Sequence, residues 1–76
     1  MKSIEIYTSD KCGQCVKLKE ILKNKGLKYT EYNINKNLEA KKELIKMGYM
    51  SIPVMIVDGE HVLGLDLSRV ELLLSK

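Results

Sequence analysis

Cys12 and Cys15 are the only cysteines in a chain of 76 residues. They follow a short alternating segment and open a stretch with helical periodicity. If residue 13 begins that helix, both sulfurs lie on one helical face, about one turn apart. The two Cα atoms then sit within roughly 5–6 Å, the separation a disulfide spans. Cys12 stands at the helix N-terminus, where unpaired backbone N–H groups and the helix dipole favour a thiolate. Lys11 adds a positive charge beside it. Such surroundings bring a cysteine pKa from about 8.5 down to between about 3.5 and 7.5. A thiolate with a second thiol one turn behind it is suited to disulfide exchange.

The rest of the composition narrows the field. At this length the chain is one domain, residues 1–76, without room for a separate nucleotide-binding unit. Apolar residues make up 45% and charged residues 30%, which suits a soluble globular protein. The net charge is +3, and the lysines are mixed with Glu and Asp rather than gathered in a stripe. Nucleic acid is therefore not expected as a partner. Residues 1–20 hold no apolar run of signal-peptide length, and no segment reaches membrane-span length. A cytoplasmic monomer is the expectation. In a reducing compartment a close cysteine pair is redox-active or metal-binding. Zinc wants four ligands, and beyond the two cysteines only His61 offers a soft one, so no intramolecular metal site is expected.

Along the chain, Lys2 to Tyr7 alternates and predicts a strand with Ile4 and Ile6 on the core; Thr8 to Lys11 is polar loop. Cys15, Val16, Leu18, Ile21 and Leu22 form one stripe of a helix from Gly13 to Lys25, and Gly26 ends it. Leu27 to Ile34 is a second strand. Asn35 to Asn37 supplies N-cap candidates for a second helix reaching Met47, with Leu38, Leu44 and Ile45 inward and Gly48 as its stop. Val54 to Val57 is apolar throughout, as in a strand buried on both faces. Asp58-Gly59 predicts a tight hairpin into a strand at His61 to Gly64. Asp66 or Ser68 caps a last helix; Ser68 with Glu71 fits a capping box. The order is β-α-β-α-β-β-α: an α/β fold with a four-stranded mixed sheet and three helices.

Tyr7-Thr8 followed by Cys12-Gly13-Gln14-Cys15, then Ser51-Ile52-Pro53, then Asp58 to Gly64, resembles the glutaredoxins and NrdH-redoxins of the thioredoxin superfamily. The likeness runs over nearly the whole chain and implies a minimal thioredoxin fold. It implies Cys12 as the attacking nucleophile, Cys15 as the resolving thiol and Pro53 as a cis residue beside them. Ile52 would offer its backbone to an extended substrate, Lys11 and Gln14 would flank the bound partner, and Asp66 would hold a glutathione amino group. The activity implied is thiol-disulfide exchange on protein or glutathione mixed disulfides, with no tightly bound cofactor and glutathione as a co-substrate. The reductant would be glutathione or a thioredoxin-reductase-type flavoenzyme, and a ribonucleotide reductase is one client by resemblance to NrdH-redoxins. The resemblance also leaves an alternative, a carrier of an iron–sulfur cluster held between two subunits. The chain departs from common glutaredoxins in the middle pair Gly13-Gln14, in Ser9 where they carry Lys, and in Gly64-Leu65-Asp66-Leu67, which has one acid where they have two.

Overall fold

A computed structural model describes residues 3–75. The predicted start of the first strand at Lys2 and the outermost positions of the 1–76 domain lie outside the described residues. The elements are β1 (Ile4–Thr8), α1 (Gly13–Asn24), β2 (Thr30–Asn33), α2 (Leu38–Lys46), β3 (Val54–Val57), β4 (Glu60–Leu63) and α3 (Leu67–Leu74). The sheet runs β2-β1-β3-β4. β1 and β2 are parallel, as a crossover through α1 requires. β3 runs antiparallel to both β1 and β4. Asp58 and Gly59 both take positive φ, 50° and 87°, which a two-residue turn between twisted strands needs.

The sheet is covered on both faces. Ile4, Ile6, Met55, Val57 and Val62 pack with Leu18 and Leu22 of α1 and with Val70 and Leu73 of α3. On the opposite face Tyr7 and Val54 pack with Ala40 and Leu44 of α2. β3 reads as a continuous apolar run because its residues alternate between these two clusters. In β1, Ile4 and Ile6 join the first cluster and Tyr7 the second, so it has a core on each face rather than on one.

Other expectations are corrected. Thr8 is not loop but the last residue of β1, and it is fully buried. β2 covers only Thr30–Asn33; Leu27 and Tyr29 pack on the first cluster before the strand begins. Val16, Leu38 and Ile45, expected inward, are exposed, because neighbouring helix positions lie about 100° apart and α1 and α2 each turn a narrower stripe inward. Asn37 caps α2 by accepting the Ala40 N–H at 3.1 Å. α3 is capped by Asp66, whose Oδ1 accepts the Arg69 N–H at 3.2 Å. Ser68 is therefore already inside α3 and forms no capping box.

Candidate active site

The register sets Tyr32, Tyr7, Val54 and Leu63 in one row across the four strands. The chain leaves β1 just past that row to reach Cys12, enters β3 there from Pro53, and leaves β4 there at Gly64. One end of the sheet thus gathers the cysteine pair, the proline and the Gly64–Asp66 segment.

Cys12 is the N-cap of α1, with extended backbone at φ −124° and ψ 102°. Its Sγ accepts the Cys15 N–H at 3.1 Å, and its carbonyl accepts the Val16 N–H at 3.3 Å. The two cysteines form a disulfide with a Cα separation of 5.2 Å. They are unequal: Cys15 is 1% exposed, whereas Cys12 is only half-buried. No acidic residue occupies the first turn of α1. A thiolate on Cys12 would therefore face helix N–H groups with no carboxylate in that turn to oppose it.

Ile52-Pro53 is a cis peptide. Pro53 is buried, and its carbonyl accepts the Gly64 N–H at 2.8 Å, which fastens the exit of β4 to the entry of β3. Gly64 has φ 70°, a conformation that favours glycine at this junction. Ile52 is half-buried and makes no backbone hydrogen bond to another described residue. Asp66 is exposed and caps α3 through Oδ1. Lys11 and Gln14 are exposed.

Two residues near this end, Glu31 and Lys19, were not singled out by sequence. Thr8 Oγ1 donates to Glu31 Oε2 at 2.7 Å, and Lys19 Nζ reaches the same oxygen at 3.1 Å, tying β1, β2 and α1 together. The Thr8 hydrogen bond, helped by Lys19, holds the Glu31 carboxyl below its ordinary range. Burial, then the nearby Glu5 carboxylate, pushes the Tyr7 hydroxyl up, so Tyr7 is a packing group rather than a base. His61 Nδ1 pairs with the Tyr49 hydroxyl. Beside the pair lies a groove of about 680 Å³ between the 9–11 loop, α2 and the 49–52 segment. Lys11 and Ile52 line it, together with Lys41, Ile45, Tyr49 and Met50. The cysteines, Gln14, Pro53 and Asp66 do not. Polarity had marked Thr8 as loop, and nothing in the pattern of α2 distinguishes Lys41 from its other lysines. Among the described residues no group of three or more His, Cys, Asp or Glu is placed to hold a metal ion. No described helix is long and apolar enough to cross a membrane.

Comparison with known proteins gives this geometry its context. The glutaredoxin family model matches residues 4–62. Glutaredoxin 3 of Escherichia coli K12 is 34% identical over 67 residues, covering 87% of this chain and 81% of that protein. The thioredoxin-like protein BC3987, as its T8A mutant, superposes with a TM-score of 0.91 at 34% identity, covering 99% of this chain and 97% of that one. The NrdH-redoxin of Escherichia coli gives a TM-score of 0.84 at 28% identity, with 91% of each chain covered. The fold is the thioredoxin fold, and the chain belongs to the glutaredoxin family, its Cys12–Cys15 pair making it a thiol-disulfide oxidoreductase.

Proposed function

We propose that the protein reduces disulfides of other proteins, with Cys12 as the attacking thiol and Cys15 as the resolving one. The unequal exposure of the two sulfurs supports this assignment, since only the half-buried Cys12 presents itself to a partner. The Cys12 thiolate attacks one sulfur of the client disulfide, forming a mixed disulfide and releasing the other sulfur as a thiolate, which takes a proton. Cys15 then loses its proton, attacks Cys12 Sγ and releases the second client thiol. The client disulfide is reduced to two thiols as the pair is oxidised to its disulfide. The backbone of Ile52 pairs with the client chain as a short strand.

The electrons that reset the pair come from a thioredoxin-reductase-type flavoenzyme rather than from glutathione. Two observations support this. Asp66, the one acid of the segment that would hold glutathione, already caps α3. A similar protein, the NrdH-redoxin, is described as having a thioredoxin-like activity profile. The working compartment is the cytoplasm, where such a reductant keeps the dithiol charged.

The test is reduction of insulin disulfides by wild-type protein in two arms. One holds thioredoxin reductase and NADPH; the other holds glutathione, glutathione reductase and NADPH. Turnover in the first arm only is expected. Faster turnover in the second arm would overturn the donor assignment. Cys12→Ser is expected to abolish turnover, and Cys15→Ser to accumulate mixed disulfides; full activity in Cys12→Ser would overturn the mechanism.

A further inference from the structure

A groove lies beside the disulfide, with Lys11, the neighbour of Cys12, in its lining. Its inner wall is apolar, with Leu44 buried and Ile34 and Tyr49 half-buried. Its rim carries Met50 and Ile45, which are 101% and 62% exposed. Bare apolar side chains clustered at a concave site mark a place where something binds. Two cations, Lys11 and Lys41, also line it. Neither has a carboxylate within 4.0 Å among the described residues. The groove also holds one acid, Asp10, whose Oδ1 accepts the Asn33 amide at 2.8 Å and which keeps its negative charge. With two lysines against one aspartate, the groove thus offers an apolar wall and a net positive charge together.

Its position decides what fits. Ile52 lines the groove and makes no backbone hydrogen bond to another described residue. A chain paired on Ile52 sends alternate side chains to opposite sides, so those on one side drop into the groove. A volume near 680 Å³ is enough for a drug-sized ligand, and so for more than one side chain.

We infer that the groove selects clients, taking an extended protein segment that carries an apolar side chain and a carboxylate close to the reacting cysteine. Met50 and Ile45 cover the apolar side chain, and Lys11 and Lys41 attract the carboxylate. The inference rests on the disulfide-reductase reading above and adds its substrate preference.

The test uses three disulfide-linked peptide dimers, in which each cysteine is flanked on both sides by Leu and Asp, by Leu and Lys, or by Ser and Asp. Reduced wild-type protein is mixed with each and the second-order rate measured. The Leu/Asp peptide is expected to react roughly five- to tenfold faster than the Leu/Lys peptide at about 20 mM salt, with the ratio falling towards one at about 0.5 M. In Lys41→Glu, an exposed position, the ratio of acidic to basic peptide is expected to fall to one or below. In Met50→Ser the advantage of Leu/Asp over Ser/Asp is expected to shrink. Equal rates for acidic and basic peptides, or a ratio unmoved by Lys41→Glu, would overturn the inference. Glutathione disulfide reacting faster than the Leu/Asp peptide with the same Lys41 dependence would overturn it too, by making the occupant a small thiol. Bis(2-hydroxyethyl) disulfide separates the two levels. If the wild-type protein reduces it without discriminating among peptides, only the groove assignment fails; if it does not reduce it at all, the exchange reading fails with it.

Discussion

The Thr8 hydroxyl is fully buried and spends its proton on Glu31, whose other partner is Lys19. A threonine among Ser9, Asp10 and Lys11 looks like loop because its polarity outweighs one strand position. Its burial is tolerable only because a charged acceptor sits across the sheet, and that acceptor is 23 residues away in sequence. No local pattern shows such a pair. The Cys12–Cys15 pairing, by contrast, was legible because its spacing is local, set by one helical turn, whereas the cis bond at Pro53 came from the family resemblance and not from any local pattern. The Thr8–Glu31 bond carries a pH consequence. Glu31 is held below its ordinary value, so its contribution is fully present above about pH 4.5 and is lost as pH falls through the folded-state value. Exposure of the carboxylate keeps this to about 1 kcal/mol or less. Glu31→Gln keeps an acceptor for Thr8 and removes the charge. Its urea midpoint is expected to fall less than that of the wild type between pH 6 and pH 3.5; equal falls would refute the assignment.

Elements were read correctly in order and type, and misread in phase and boundary. In α2 the sequence offers Leu38, Leu44 and Ile45 as apolar positions, but Leu44 and Ile45 lie about 100° apart around the helix and only Leu44 is buried. The cap at Asn37 and the small side chain of Ala40 let Ala40 and Leu44, four apart, take the inward face, which leaves Leu38 and Ile45 outside. The same side chains that seemed core thereby became surface, and Ile45 became part of the groove. In α3 two capping schemes competed on paper. Asp66 prevails because its oxygen reaches the Arg69 N–H, while Ser68 lies within the helix. Asp66→Ala is therefore expected to cost about 1 kcal/mol of unfolding free energy, and Ser68→Ala to stay within about 0.5 kcal/mol. A larger loss in Ser68→Ala, measured by urea denaturation, would reverse the assignment of the cap.

At the scale of the molecule, the sheet is, among the described residues, the only structure that both clusters share. Met55 and Val57 face α1 and α3, while Val54 faces α2, and these residues alternate along one strand. A chain of 76 residues is expected to have roughly 4–11 kcal/mol of stability in all. Met55, fully buried, and Leu44, 4% exposed, sit in opposite clusters. Truncating either to Ala is expected to cost about 2–5 kcal/mol, a large share of the total. Because β3 belongs to both clusters, each variant should unfold in one cooperative transition, with far-ultraviolet circular dichroism and tyrosine fluorescence shifting together to lower urea. If Leu44→Ala instead showed an early loss of the tyrosine signal followed by a separate loss of helix, the α2 face would be an independent unit. The cysteine pair would then rest on α1, α3 and the sheet alone, and the groove could open without disturbing the disulfide beside it.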